Sequence, residues 1–88
     1  MRLDKFLKVS RLIKRRTLAK EVCAQGRVTR NGTVAKASTS VAPGDELSIR
    51  LGQKRITVRV EKVNDTPRKG EAAELYTLLS EERIDADV

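Results

Sequence analysis

The chain is short and strongly basic. It has 88 residues, with 19 Lys and Arg against 12 Asp and Glu, and so a net charge of +7. A chain of this length folds as one domain, and its modest core leaves no room for a deep substrate cavity. Residues 1–36 hold 11 basic and two acidic side chains, whereas residues 64–88 hold three and seven. This asymmetry predicts a polyanion-binding half and an acidic tail, with an ordinary solvated surface as the alternative.

The residue types that most enzymes and metal sites use are scarce. Histidine is absent and Cys23 is the only cysteine. The chain therefore has no internal disulfide, no imidazole base for a nucleophile and few zinc or copper ligands. We predict no enzyme activity, no metal and no cofactor, with Cys23 in the core. No apolar stretch is long enough for a membrane span or a signal peptide, so we expect a cytoplasmic protein that is monomeric when free.

The first predicted elements in chain order are two short helices. In the first helix, Leu3, Phe6 and Leu7 share one face. The second helix has apolar residues at helical spacing, and Gly26 suits the left-handed position that ends such a helix. We place these apolar residues in the core: Leu18, Ala19, Val22 and Cys23.

Basic side chains surround the start of the second helix. They are Arg11, Lys14, Arg15, Arg16 and Lys20. An arginine at a helix N-terminus is slightly unfavourable for the helix dipole, but it is well placed to meet a phosphate beside exposed backbone N–H groups. Phe6 and Tyr76 are the only aromatic residues, so a platform for stacking bases is poorly supported. The basic face predicts binding through phosphate contacts.

Two hairpins follow the helices. Residues 28–30 begin the first hairpin, and Asn31-Gly32 is the strongest short signal for its tight turn. Residues 46–51 and 56–60 alternate apolar and polar side chains, which predicts a second and longer hairpin.

The C-terminal part is acidic and less regular. Residues 64–70 have the composition of a loop. Residues 71–79 favour a helical start, with a strand from Tyr76 as the alternative, and residues 80–88 are expected to be frayed. The predicted fold class is therefore α+β, with two short N-terminal helices packed on a small antiparallel sheet and a short C-terminal element. We predict one domain over residues 1–63 and a loop with an acidic tail over residues 64–88.

A series of short motifs resembles the RNA-binding domain first seen in small-subunit ribosomal protein S4. The motifs are RLDKFL from Arg2, then Arg16, Ala19, Gly26, Val28, Asn31-Gly32, Lys36, Val41 and Gly44-Asp45. Each is weak alone, but their order and spacing together are specific, and the resemblance covers residues 2–50. It implies two helices on a small, bent antiparallel sheet, with the exposed basic side of the helices facing structured RNA.

Over almost its whole length the chain is similar to the RqcP family of S4-type proteins, and more distantly to the fifteen-kilodalton heat-shock protein. The similarity lies in the block MRLDKFLKVSRLIKRRTLAKEV, in VTRNGTVAKAS and PGDEL, and in EAAELYTLLSEE. It implies binding to large-subunit rRNA and peptidyl-tRNA on obstructed large ribosomal subunits. It also implies that the chain assists RqcH in adding an alanine tail to the stalled chain.

The candidate RNA contacts come from the family motif and from charge. The full set is Arg2, Lys5, Arg11, Arg15, Arg16, Lys20, Arg30 and Lys36. Of these, the resemblance implies contacts at Arg2, Lys5 and Arg16. A structural alternative is that Asp4 pairs with Arg16, which then braces the two helices. Arg30 stands where an aliphatic residue is common in the family, and we favour an added RNA contact there over a weakened hairpin.

Two other function classes remain open. Another RNA-binding role, in ribosome assembly or tRNA handling, fits the same basic face. A basic amphipathic helix also binds anionic membrane surfaces, but such a helix presents its large apolar residues to the lipid, and here the core needs them.

Overall fold

Two helices precede an antiparallel sheet in the computed structural model, which describes residues 1–84. The helices are α1 (Leu3–Val9) and α2 (Arg16–Ala24). The strands are β1 (Val28–Arg30), β2 (Thr33–Val34), β3 (Glu46–Leu51), β4 (Lys54–Val60) and β5 (Tyr76–Arg83). Within residues 1–84, neither helix has the length and apolar composition needed to cross a membrane.

The five strands form one sheet in the order β2-β1-β3-β4-β5. Every neighbouring pair is antiparallel, and the register of β4 with β5 shifts between Thr57 and Val58. Both hairpins occur where the alternation and the Asn-Gly signal predict them. The predicted α+β class is confirmed.

The end of α2 and the first hairpin turn both depend on left-handed residues. Gly26 has a φ of +73°, and its N–H and that of Arg27 donate back to carbonyl groups of the last helical turn at 3.0 and 3.2 Å. This pair of hydrogen bonds is a Schellman motif, which a glycine accommodates without steric cost. Asn31 and Gly32 have φ values of +51° and +86°, as a two-residue hairpin turn of this type requires.

The core lies between the helices and one face of the sheet. Leu3, Phe6 and Leu7 of α1 are all 0% exposed, and the buried Cys23 confirms its predicted core position. The other large contributions come from Ala19, Val22, Val28, Leu47, Ile49, Val58 and Val60. Burying such side chains stabilises the fold by roughly 1.5–3 kcal/mol each, so this layer holds the helices in place on the sheet.

The core prediction for Leu18 is wrong. Its side chain is 45% exposed, whereas Ala19 and Val22 are buried. Successive helical residues point about 100° apart, so four apolar residues in two adjacent pairs span a wide stripe. The neighbouring elements cover the middle of that stripe and leave Leu18, at its edge, half in solvent.

The C-terminal segment belongs to the sheet. A single 3-10 turn (Ala72–Leu75) confirms the helical start, and Leu75 is fully buried in the core. β5 then pairs with β4 along its whole length. The expectation that residues 80–83 are frayed is therefore wrong, because backbone pairing holds them although their side chains are exposed. Residues 85–88, for which fraying was also predicted, lie outside the described residues, and the domain boundary at residue 63 stays a prediction.

Candidate RNA-binding surface

Asp4 lies buried between the two helices and holds two arginines, and we name Arg2, Asp4 and Arg16 the Asp4 cluster. The Asp4 side chain is 0% exposed, and its carboxylate oxygens lie 3.2 Å from Arg2 Nε and 3.3 Å from Arg16 Nε. Each guanidinium also donates through Nη2 at 3.4 Å. The arginine side chains are 51% and 42% exposed. Because a guanidinium has five N–H donors, each arginine keeps donors for an external acceptor.

The pKa values of Asp4 and of the nearby Cys23 are both shifted from their ordinary values. Burial raises the pKa of Asp4, but hydrogen bonds from Arg2, Arg16 and the Lys5 backbone N–H outweigh burial, so the pKa lies below its ordinary value of 3.8. Burial and the nearby Asp4 charge raise the pKa of the Cys23 thiol above its ordinary value. Asp4 is therefore a permanent anion near neutral pH, and Cys23 is a neutral thiol.

The start of α1 is tied to the segment that follows the first hairpin. The Leu3 N–H donates to the Thr39 carbonyl at 2.7 Å, and the Asp4 N–H donates to the Ala37 carbonyl at 3.1 Å. These bonds satisfy helix N–H groups that lack a side-chain cap. They also hold Lys36 beside α1, although about thirty residues separate the two in sequence.

An open groove of about 520 Å³ includes part of the Asp4 cluster, and we call it the first groove. Arg2, Lys20 and Lys36, three of the predicted contacts, line it. Its other lining residues are small or apolar: Cys23, Ala24, Gly26, Val34, Ala35, Ala37 and Ser38. No Asp or Glu is among the lining residues of the first groove, although Arg2 is also paired with Asp4. The three cations therefore favour an anion in the groove, and phosphate oxygens match the donors of Arg and Lys.

Besides Arg30, three candidates lie outside both the Asp4 cluster and the first groove. Lys5 Nζ is 3.7 Å from the Asp65 carboxylate. Arg15 is exposed and forms the N-cap of α2 in an extended conformation, without a side-chain cap hydrogen bond. Arg11 is exposed, with a φ of +64°, and lines a different groove. Charge and spacing thus predicted one basic face, whereas in the folded chain these basic side chains do not all line the same groove.

Arg30 and Asn31 both stabilise the end of the first hairpin. Arg30 Nη1 donates to the Ser40 carbonyl at 2.8 Å, and its Nε lies 3.9 Å from Asp45. Asn31 Nδ2 donates to Asp45 Oδ1 at 3.1 Å, and Asn31 Oδ1 accepts from the Glu46 N–H at 2.8 Å. These contacts give the Asn-Gly and Gly-Asp motifs a structural role. A contact between Arg30 and RNA stays a prediction.

Sequence reasoning missed two features of the surface. The sequence analysis considered an ion pair between Asp4 and Arg16 but not the ion pair between Asp4 and Arg2, which is about as short. One signal was present, because Asp4 is one of only two acidic residues among the first 36. It also left Lys8 and Lys14 out of the candidate set, although the folded chain brings both beside Arg11 in one groove.

The family model described as the S4 domain matches residues 1–47, which contain both helices, the first hairpin and the start of β3. The chain belongs to the S4 domain family. The predicted resemblance is confirmed, and the matched residues include the whole Asp4 cluster and the lining of the first groove.

Known S4 domain proteins are similar to the chain well beyond the matched part. A protein of Bacillus subtilis named RQC P-site tRNA stabilizing factor is 66% identical over 84 residues, covering 96% of this chain and 98% of its own. Heat shock protein 15 of Escherichia coli is 39% identical over 77 residues, covering 86% of this chain and 58% of its own. Both relationships that the sequence predicted are therefore confirmed.

The fold is also similar to that of a solved S4-type protein. The trimeric structure of Vibrio cholerae heat shock protein 15 superimposes with a TM-score of 0.82 at 39% identity, covering 89% of this chain and 80% of that chain. The similarity extends beyond residues 1–47. The C-terminal strands are therefore part of an architecture that a relative shares.

Proposed function

We propose that this S4 domain chain is a non-catalytic RNA-binding factor of bacterial ribosome-associated quality control. It binds large-subunit rRNA and peptidyl-tRNA on obstructed large ribosomal subunits and supports RqcH-dependent alanine tailing. The observation that carries the proposal is the 66% identity, over 96% of the chain, to a protein named RQC P-site tRNA stabilizing factor.

The Asp4 cluster and the first groove are the centre of the proposed contact. Arg2 belongs to both, so the half-exposed guanidinium groups of Arg2 and Arg16 adjoin the cations of Lys20 and Lys36. The buried Asp4 carboxylate restricts both arginines before RNA arrives. A restricted side chain loses less conformational entropy on binding, and so more of each phosphate contact contributes to affinity.

The remaining predicted contacts extend this centre. Arg11 and Arg15 are exposed and both precede α2, and Lys5 follows Asp4 directly in the sequence. Arg30 already bonds to Ser40, and we propose that it contributes through its partial exposure and positive charge. All eight candidates lie in the half of the chain that carries the positive excess.

The proposed action is stabilisation of one arrangement of RNA. A ligand shifts a conformational equilibrium only when it binds the alternative states unequally. A small basic domain that contacts rRNA and tRNA at once favours the arrangement in which both are in reach. On a large subunit without its small-subunit partner, such a contact keeps peptidyl-tRNA placed for repeated rounds of elongation.

A reconstituted tailing reaction tests the proposal directly. Purified large subunits carrying peptidyl-tRNA are supplied with RqcH and alanyl-tRNA at fixed salt, and alanine tail length is measured with and without this protein. We expect longer tails with the wild-type chain. Arg2→Gln/Arg16→Gln is expected to lose this effect, because it removes both guanidinium groups of the Asp4 cluster.

The control variant is Arg50→Gln/Arg55→Gln. These two exposed arginines face each other across β3 and β4, outside the S4-matched contacts, and their loss lowers the net charge by the same amount. With the control variant, the alanine tails are expected to be as long as with the wild type. Equal tail lengths with and without folded wild-type protein in excess would remove the quality-control assignment and leave a general RNA binder.

A further inference from the structure

A second open groove, of about 650 Å³, lies between the end of α1 and the loop that leads towards β5. Its lining residues are Lys8, Val9, Arg11 and Lys14 from the end of α1 and the segment after it, and residues 65–67 from the loop. None of these residues lines the first groove. We call this feature the second groove.

Among residues 1–84, no carboxylate forms an ion pair with the cations of the second groove. Lys8, Arg11 and Lys14 are all exposed, and within residues 1–84 none of them has a carboxylate within ion-pair distance. Lys8 gains some stabilisation from the C-terminus of α1, where the helix dipole is negative. That explanation does not extend to Arg11 or Lys14, which lie beyond the helix. Three such cations around one groove concentrate positive potential.

The backbone at Arg11 and the opposite loop shape the groove. Arg11 has a φ of +64°, a left-handed conformation that costs a non-glycine residue energy, and its N–H donates to the Lys8 carbonyl at 3.0 Å. The loop opposite is held by the Thr66 N–H, which donates to Asn64 Oδ1 at 3.0 Å. Lys5 Nζ of α1 also lies 3.7 Å from the exposed Asp65 carboxylate, a pair that adds little stability. Local backbone hydrogen bonds therefore shape both sides of the groove.

We propose that the second groove is a separate RNA-phosphate site, which binds a backbone segment other than the one held by the Asp4 cluster and the first groove. The proposal rests on the proposed function for the identity of the RNA, but it goes beyond the candidate set: neither the S4 motif nor charge patterning selected Lys8, and charge patterning placed Lys14 on the basic face without assigning it a contact. Lys8 and Lys14 are new contacts, and Arg11 acts with them. The chain then holds RNA at two places, as a factor that bridges two RNA elements requires.

The composition of the groove favours a phosphodiester over other anions. Lysine ammonium groups act as point charges for phosphate, and the Arg11 guanidinium adds planar paired donors. One carboxylate, Asp65, shares the lining, and it already faces Lys5. The groove is partly open to solvent, so a continuous phosphodiester backbone can enter it and leave it again.

The test compares the full-length Lys8→Gln/Lys14→Gln variant with the Arg50→Gln/Arg55→Gln control, which loses the same charge. Dissociation constants are measured by co-sedimentation with large ribosomal subunits, with and without peptidyl-tRNA, across a potassium chloride series. We expect the Lys8/Lys14 variant to bind about tenfold more weakly than the control. We also expect its log–log salt slope to be smaller by about 1.4–1.8, since each lost phosphate contact removes about 0.7–0.9.

Two further variants act on the same groove in opposite directions. Arg11→Asn removes the guanidinium but keeps a residue type that tolerates the left-handed conformation, so the fold is retained while affinity falls. Asp65→Asn removes the only carboxylate of the groove lining and is expected to tighten binding by about two- to fivefold. A thermal melt of each variant verifies folding before binding is measured.

The two subunit preparations identify the source of the phosphates. A loss confined to particles with peptidyl-tRNA assigns the second groove to tRNA, and an equal loss on both assigns it to rRNA. If Lys8→Gln/Lys14→Gln matches the control on both particles, the second site is overturned while the proposed function stands. If the wild type binds neither particle, the proposed function fails. In that case the dissociation constants of the same two variants are compared on a generic RNA duplex of about 20 base pairs. Weaker binding by Lys8→Gln/Lys14→Gln than by the control supports the second site, and equal binding overturns it.

Discussion

The Asp4 cluster and the ribbon formed by β4 and β5 both contain arginine–carboxylate pairs, yet the two regions differ in burial. At the end of the ribbon, Arg59 Nε of β4 lies only 2.9 Å from Glu61, which directly follows the strand, but both side chains are about two-fifths to one-half exposed. In the Asp4 cluster the distances are longer, at 3.2 and 3.3 Å, but the carboxylate is fully buried. A buried charge is costly without partners, whereas an exposed pair exchanges freely with water.

Distance alone does not show how firmly an arginine and a carboxylate are held together. The shorter pair in the ribbon lowers the pKa of Glu61, through hydrogen bonds from Thr77 and Arg59, but nothing anchors the group against solvent. The Asp4 carboxylate cannot leave its arginines without an uncompensated buried charge. Its two partners are therefore held with free donors facing outward, which is the arrangement that a phosphate site needs.

The largest effect is expected from the core beneath the Asp4 cluster. Phe6→Ala removes a fully buried aromatic side chain from α1 and should cost about 3–5 kcal/mol of unfolding free energy, through lost burial and a residual cavity. Leu78→Ala in β5 is the matched change in the ribbon, where the side chain is half exposed. Urea denaturation measures both. Similar losses for the two variants would contradict the difference in burial.

The second effect separates the two carboxylates. Asp4→Asn should cost about 1–3 kcal/mol, because the buried side chain loses its charge-assisted bonds to Arg2 and Arg16. It should also weaken RNA binding, since both arginines lose their support. Glu61→Gln removes the ribbon carboxylate and is expected to leave unfolding unchanged. Chemical denaturation and RNA titration of the two variants give the comparison, and equal behaviour would refute it.

The Asp4 pair has a defined pH dependence. Its folded-state pKa lies below 3.8, so its stabilisation is fully present above the unfolded value of about 3.9. It is lost as pH falls through the lower folded pKa. The stability difference between wild type and Asp4→Asn should therefore be constant from about pH 5 to 7 and shrink below about pH 4. Denaturation midpoints across this range measure it, and a difference that grows on acidification would contradict the direction of the shift.

A smaller change in stability, with a large change in binding, is expected from Arg16→Ala. The half-exposed arginine should contribute about 1 kcal/mol or less to unfolding, since Arg2 still compensates Asp4. Its loss should lower affinity for large subunits and reduce the salt slope by about one. Arg59→Ala in the ribbon should change neither property. If Arg16→Ala unfolds the domain, Arg16 is a brace between the helices and its role as a contact is removed.

The smallest effect is expected at Leu18. With 45% of its side chain exposed, Leu18→Ala should change the unfolding free energy by only about 0.5 kcal/mol. Val22→Ala, one turn later and buried, should cost more, about 1–2 kcal/mol, and it provides the control for helix propensity. Thermal melts of both variants rank them. If Leu18→Ala lost more unfolding free energy than Val22→Ala, Leu18 would belong to the core.

Local patterns predicted most of the fold because their physical causes are local. Asn31-Gly32 takes left-handed backbone angles wherever a tight hairpin forms, and Gly26 ends α2 for the same reason. The alternation in residues 46–51 reports the buried face of a strand directly. The full extent of β5 could not be predicted in this way, because seven of its eight side chains are exposed and show no alternation. Backbone pairing with β4 holds the strand.

The sequence by itself determined the basic N-terminal half, the two helices, the hairpins and the S4 relationship, since these follow from composition and from contacts close in the chain. Tertiary structure alone decided which cations act together. Asp4 gathers Arg2 and Arg16 because α1 packs on α2, and the first groove adds Lys36 because hydrogen bonds tie residues 37–39 to α1. The position of a charge in the sequence shows its sign but not its neighbours, because long side chains meet only after the core has set the distances between elements.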